Sequence, residues 1–107
     1  MMAEWKNFKN LKILPQRAAL FYLALCKEPN SVTGLAEKLD ISIAAACNPM
    51  GEGKKSVMAY LLENELIEFD HKEKRFIFWR AINKEKFLKM YDESKAAFLA
   101  KEIEKLR

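Results

Sequence analysis

Apolar residues recur at helical spacing in the segment that follows Asn30. Four of them occupy positions i, i+3, i+4 and i+7: Val32, Leu35, Ala36 and Leu39. This spacing places the four side chains on one face of a helix. Asn30 and Ser31 precede the pattern, and their side-chain oxygens suit the acceptor positions at a helix start. The pattern therefore predicts a short amphipathic helix from residue 32, followed by a tight turn.

Two strand-like segments later in the chain predict a β-hairpin. Residues 66–70 and 75–79 alternate like two strands, and the polar residues 71–74 separate them. Such alternation across a short polar segment is typical of antiparallel strands. In the second strand Phe76 and Phe78 share one face, and Ile77 and Trp79 share the other. We expect one pair to belong to the core and the other to need a cover.

Two further helices are predicted before the hairpin. Residues 16–27 follow Pro15 and are apolar nearly all round, which is typical of a buried central helix. Residues 54–64 carry apolar side chains at four-residue spacings and predict a second helix. The intervening segment 43–53 contains one proline and two glycines, which exclude a continuous helix. We expect an additional helical turn at 43–47 and an exposed, non-helical segment at 48–53.

The C-terminal segment has no glycine or proline from residue 83 onward and predicts one long helix capped by Asn83. A helix of about 24 residues spans roughly 36 Å, which is longer than a small core requires. We therefore expect its end to project and to pair with a second copy of the chain. The predicted dimerisation residues lie on its apolar stripe: Tyr91, Phe98, Leu99, Ile103 and Leu106.

Residues 35–42 read Leu-Ala-Glu-Lys-Leu-Asp-Ile-Ser, and residues 60–68 read Tyr-Leu-Leu-Glu-Asn-Glu-Leu-Ile-Glu. With the order helix, turn, helix and hairpin, these stretches resemble winged helix-turn-helix transcription regulators of prokaryotes, archaea and their viruses. The resemblance covers about half of the chain. It implies a mainly α fold with a small β-hairpin, in a single domain 1–107. That domain would comprise an N-terminal arm at 1–13, a winged-helix core at 14–80 and a long dimerisation helix at 83–107.

One departure concerns the turn that leaves the second predicted helix. The family usually has a glycine before the Leu-Ile pair, whereas this chain has Glu65 there. Asn64 tolerates the left-handed conformation better than most residues do. We therefore expect Asn64 to make the turn.

The resemblance also implies a function, which is binding to double-stranded DNA as a dimeric regulator of transcription. In the family the recognition helix enters the major groove, and basic residues of the wing neutralise phosphates. The implied DNA-contacting residues are Asn48, Lys54, Lys55, Ser56, Lys72, Lys74 and Arg75. A competing interpretation is that Lys54 and Lys55 only begin a solvated helix. Sequence-specific reading would need Asn48, because the forward half of the helix has no Arg, Gln or Asn.

The charge distribution leaves a second function open. The net charge of +4 is uneven, since residues 28–70 carry −5 whereas residues 71–80 carry +3. DNA-binding proteins usually cluster Lys and Arg on the docking face. The acidic segment instead suits a winged-helix module that docks a basic protein.

Several classes of function find no support in the residues. There is one histidine, and no phosphate-binding loop or nucleophile motif, so we expect neither an enzyme nor a cofactor. Cys26 and Cys47 are too few for a metal cluster and suit reduced thiols in a cytoplasmic protein. No apolar run approaches the roughly 20 residues that span a bilayer, so no membrane is expected as a partner.

Overall fold

The computed structural model describes residues 14–50, 53–94 and 96–107. The predicted N-terminal arm, 1–13, lies outside the described residues. Helix α1 spans Gln16–Lys27, strand β1 Asn30–Ser31, and helices α2, α3 and α4 span Val32–Lys38, Ile43–Cys47 and Val57–Glu63. Strands β2 and β3 span Ile67–Glu73 and Phe76–Ala81, and α5 spans Lys84–Ser94. A short 3₁₀ helix at Ala97–Leu99 leads into α6, Ala100–Leu106.

The fold is mainly helical with an antiparallel β-hairpin, as the sequence predicts at this coarse level. Helix α1 is central, and seven of its residues are buried: Ala18, Ala19, Phe21, Tyr22, Leu23, Ala24 and Leu25. The ring of Tyr22 stacks on Phe87 at 4.1 Å between centroids, and its hydroxyl donates to the Ile82 carbonyl at 2.8 Å. These contacts tie α1 to α5 and to the end of the hairpin. No helix in the described part of the chain has the length and apolar character needed to cross a membrane.

Helix α2 begins where the sequence predicts. The Ser31 hydroxyl accepts the Gly34 N–H at 3.0 Å, and Asn30 Oδ1 accepts the Ser31 N–H at 2.8 Å. A Cβ at Gly34 would lie 2.0 Å from Asn30 Oδ1, so a larger residue at position 34 would displace the Asn30 side chain from this position. At the other end Asp40 has a φ of 56°, and the Ile41 N–H bonds back into the helix. Helix α2 therefore ends in a Schellman motif, in which Asp40 adopts the left-handed conformation.

The same motif ends α4, and it corrects the prediction for Asn64. The left-handed residue is Glu65, with a φ of 57°, whereas Asn64 has a φ of −86°. The Glu65 and Leu66 N–H groups donate to Leu62 and Leu61 carbonyls, which fixes the left-handed residue one position beyond the helix cap. The position in the motif therefore outweighs the intrinsic preference of asparagine.

The segment between α2 and α4 is helical only at its start. Helix α3 confirms the expected turn at 43–47, and the described residues of 48–53 form no regular helix. Pro49 pairs with Ser56 in an isolated antiparallel bridge, and the Met50 N–H donates to the Lys55 carbonyl at 3.0 Å. Helix α4 starts at Val57 rather than at residue 54. Lys54 and Lys55 therefore lie in the loop before the helix, which is a correction to the predicted bounds.

The hairpin is confirmed and belongs to a three-stranded sheet in the order β1-β3-β2. Strand β1 was not predicted; it pairs antiparallel with β3, with Ser31 opposite Phe78. The β2–β3 register shifts between Phe69 and His71, which leaves Asp70 as the bulged residue. Beyond the bulge the pairing runs to Glu73 opposite Phe76, so the turn is only two residues long.

The prediction of one long C-terminal helix is wrong. Helix α5 ends at Ser94, the 3₁₀ helix begins at Ala97, and the terminal segment folds back. Arg107 Nη2 lies 2.5 Å from Asp92 Oδ1. Fifteen residues of continuous helix would separate these residues by roughly 22 Å. Asn83, the expected cap, has a φ of 54°, and its side chain donates to the Glu65 carbonyl at 2.5 Å. The segment therefore covers its own core instead of projecting.

Candidate nucleic-acid interface

The hairpin holds three basic residues together at its tip. Lys74 and Arg75 form the two-residue turn, with Lys74 at a φ of 57°, and Lys72 lies next to them on β2. All three are exposed. We call Lys72, Lys74 and Arg75 the tip cations.

The tip cations keep their charge available to a partner. Among the described residues, no carboxylate lies within 4.0 Å of any of the three charged groups. Glu73, the nearest acid in sequence, faces His71 at 3.5 Å. The Arg75 guanidinium lies 5.6 Å from the centre of the Phe76 ring, which leaves its donors free for an anion. Three uncompensated cations on a narrow turn form a site that suits phosphate groups.

At the base of the hairpin, unlike at its tip, the basic side chains are paired with acidic ones. Arg80 bonds Glu68 across the strands and approaches Asp70 at 3.5 Å. His71 Nδ1 lies 2.5 Å from Asp70 Oδ2, and this hydrogen bond raises the pKa of His71 above its ordinary value. Arg80 extends the basic run in the sequence, yet its charge is already balanced. Only the cross-strand register reveals this.

The residues predicted from the recognition helix are less available. Asn48 and Lys54 are exposed in the loop before α4. Lys55 forms an ion pair with Glu63 at 2.6 Å, and the Ser56 hydroxyl caps α4 by accepting the Ala59 N–H at 3.3 Å. The Pro49–Ser56 bridge brings the two sides of this loop together. Of the four predicted residues, Asn48 and Lys54 therefore offer uncommitted side chains.

The hairpin also presents an apolar face, of which the sequence identified only the pair Ile77 and Trp79. Opposite residues share a face, so Phe69 lies with Trp79, and Lys72 lies with Ile77. Phe69 is 55% exposed and Ile77 is 44% exposed, whereas Trp79 is half-buried against the core. We call these four residues the Phe69 face. The bulge at Asp70 moves Lys72 onto it, and alternation alone does not predict that shift.

The fold buries some of the predicted dimerisation residues and leaves others at the surface. Leu99 and Ile103 are buried in the core of a single chain, and Leu106 is half-buried. Tyr91 is half-buried, and the Arg107 guanidinium lies 5.9 Å from the centre of its ring. Phe98 alone of the five is exposed, at 49%. The apolar surface on which the dimer prediction rested is therefore mostly covered from within.

Outside the hairpin, a free thiol lies beside a cavity. A cavity of about 500 Å³ is lined by Tyr22, Cys26 and Lys84. Cys26 retains exposed surface, but burial raises the pKa of its thiol and so favours the neutral form. The described residues contain no group of three His, Cys, Asp or Glu side chains that could hold a metal ion.

Comparison of the chain with known protein families, with curated proteins and with solved structures finds no match. The geometry of the hairpin therefore carries the functional argument.

Proposed function

We propose that this protein is a DNA-binding protein of the winged helix-turn-helix type that regulates transcription in the cytoplasm. The observation that carries the proposal is the cluster of tip cations, which have no carboxylate partner among the described residues. In this proposal the hairpin is the wing, and Lys72, Lys74 and Arg75 neutralise phosphates of a duplex. Helices α2 and α4 form the helix-turn-helix, with α4 as the recognition helix, and α3 and the loop before α4 are an insertion between them.

The order of elements supports this assignment. A helix, a short strand, three short helices and a hairpin follow one another, and the short strand pairs with the second strand of the hairpin. The sheet fixes the hairpin beside the helices, and the exposed tip residues offer a contact separate from the helices. Phosphate contacts from such a tip position a protein on DNA without reading its sequence.

A protein-docking module is the second candidate, and the ion pairs of the helix-turn-helix favour it. Lys38 pairs with Glu28 at 3.6 Å and Lys55 with Glu63 at 2.6 Å, so two lysines of this acidic segment are already balanced. The remaining carboxylates would attract a basic protein. This candidate requires no affinity for DNA.

Salt-dependent binding to duplex DNA of arbitrary sequence separates the two candidates. Each phosphate contact contributes a slope of roughly −0.9 to log K against log salt. Changing Lys72, Lys74 and Arg75 together to Ala should flatten the slope by up to roughly 2.7, measured by fluorescence anisotropy with a labelled duplex.

A matched control removes the same charge elsewhere. Lys84, Lys89 and Lys101 are exposed residues of α5 and α6, and changing them together to Ala should leave the slope nearly unchanged. Equal effects of both triple variants would mean that only net charge matters. A wild-type protein without duplex affinity at low salt would leave the docking module as the function.

Homodimerisation remains a prediction within this proposal, with a changed surface. Leu99 and Ile103 are buried and cannot form the interface of a folded chain, so Phe98 is the apolar residue of the terminal segment that a partner could cover. Changing Phe98 to Lys should then lower the mass measured by light scattering from dimer to monomer. A wild-type protein that is already monomeric would remove the dimer from the proposal.

A further inference from the structure

The hairpin carries as many large exposed apolar side chains as all the described helical segments together. Three of the six large exposed apolar side chains in the described residues lie on it: Phe69, Phe76 and Ile77. The other three are Ile43, Leu62 and Phe98, one on each of three helical segments. Single exposed apolar residues are ordinary. Phe69 and Ile77 share one face of the sheet with Lys72, whereas Phe76 lies on the other face. Exposed apolar residues that share a face in this way favour a binding surface.

The charges around the Phe69 face indicate what the surface binds. Lys72 is part of the face, opposite Ile77, and Lys74 and Arg75 follow at the adjoining turn. These cations have no carboxylate partner among the described residues. A partner that complements the face must therefore offer flat apolar surfaces and several negative charges together. A nucleic-acid strand with unpaired bases combines both features.

We propose that the Phe69 face binds unpaired bases of a nucleic-acid strand, a step that rests on the proposed function and names its preferred substrate. The Phe69 ring stacks on a base, Ile77 packs beside it, and the tip cations hold the adjoining phosphates. The protein then binds a junction between duplex and single strand more tightly than it binds a blunt duplex.

The position of Phe69 favours unpaired bases over insertion into an intact duplex. A side chain that wedges between stacked base pairs must stand at the tip of the element that enters the groove. The tip of this hairpin is Lys74 and Arg75, while Phe69 lies on the broad face before the bulge. In a duplex each base is already stacked between its neighbours. A splayed base meets the flat face without that obstacle.

The experiment compares two labelled DNA probes, a blunt duplex and the same duplex with a single-stranded oligothymidine overhang. Wild-type protein should bind the overhang probe more tightly, as measured by anisotropy at one salt concentration. Loss of a base–aromatic stack weakens binding by about fivefold or more. Phe69→Leu should therefore lose at least about fivefold on the overhang probe and nothing on the blunt duplex. Phe69→Trp should retain the preference, because it keeps an aromatic ring at the site.

Phe76→Leu is the matched control, since it changes the same residue type in the same hairpin, but on the opposite face of the sheet. It should leave the binding of both probes unchanged. Equal affinity of the wild type for the two probes, or equal losses from Phe69→Leu and Phe76→Leu, would overturn the inference.

The outcomes also separate this inference from the proposed function. Salt-dependent binding of the blunt duplex without an overhang preference would retain the proposed function and reject the stacking face. Absence of binding to both probes would reject both. If Phe69→Leu changes the mass in light scattering but not the affinity for either probe, a second copy of the chain occupies the face, and the inference fails.

Discussion

Two adjacent residues, Phe98 and Leu99, give a sharp test of the folded-back C-terminus. Leu99 is fully buried in the core, whereas Phe98 is 49% exposed. A ranking by side-chain size would make Phe98 the more costly residue to truncate. The fold reverses that order, because only Leu99 leaves a cavity when it is shortened.

The expected magnitudes follow from burial. Truncation of a buried leucine to alanine destabilises a protein by about 2–5 kcal/mol, through lost transfer free energy and the cavity that remains. Phe98→Ala should cost about 1 kcal/mol or less, since changes at exposed positions usually have small effects. Because 1 kcal/mol shifts Tm by about 4–8 °C in a domain near this size, Leu99→Ala should lower Tm by roughly 10 °C or more.

Urea denaturation followed by circular dichroism measures both variants against the wild type. The slope with denaturant should be unchanged, so that the midpoint alone reports the free energy of unfolding. A projecting helix would expose both residues in a single chain, and their truncations would then act alike and in a concentration-dependent manner. Equal costs for the two variants, or a larger cost for Phe98→Ala, would refute the folded-back arrangement.

Three further predictions concern helix ends and the hairpin. Ser31→Ala removes the α2 cap and should lower the free energy of unfolding by about 1 kcal/mol in chemical denaturation. Glu65→Gly should stabilise by up to about 1 kcal/mol because it relieves a left-handed φ, whereas Asn64→Gly should destabilise by a similar amount; the same sign for both would contradict this account. The pKa of His71, the single histidine, should lie above its ordinary value in an NMR titration, and Asp70→Asn should lower it. Since the folded pKa is raised, the stabilising contribution is complete below the unfolded pKa and is lost as pH rises through the folded pKa.

The elements that the sequence predicted well are those whose signals are local. Helix α2 combines an apolar stripe with a cap at Ser31, and the hairpin combines alternation with a short polar turn. Each signal lies within a few residues of the element that it specifies. Strand β1 was missed because two residues show no periodicity, and its pairing depends on the edge that distant β3 offers.

The C-terminal error has a different cause. The apolar positions from Phe87 to Leu106 fit one helical stripe whether the helix is continuous or broken, so periodicity does not distinguish the two forms. The break depends on tertiary contacts, namely burial of Leu99 and Ile103 in the core. Such contacts join residues far apart in the chain, and no local propensity encodes them.

The candidate site shows the same division. A count of residues finds a basic hairpin, but it does not distinguish Arg80, which bonds Glu68, from Arg75, which has no acidic partner among the described residues. That distinction follows from the register, which brings residue 80 opposite residue 68. The exposure of the Phe69 ring likewise depends on tertiary structure, namely on which part of the sheet packs against the core.

The pairing of charges also assigns phosphate binding and base reading to different parts of the molecule in the proposed function. Lys38 and Lys55 are balanced by glutamates, and balanced lysines release fewer counterions on binding than free ones. Phosphate affinity in this proposal therefore comes from the tip cations. Any reading of base edges in this proposal falls to Asn48 and Lys54, which are exposed in the loop before α4 and whose residue types contact adenine and guanine respectively. In this proposal the affinity for DNA comes from the charged hairpin, and the specificity depends on the loop between α3 and α4.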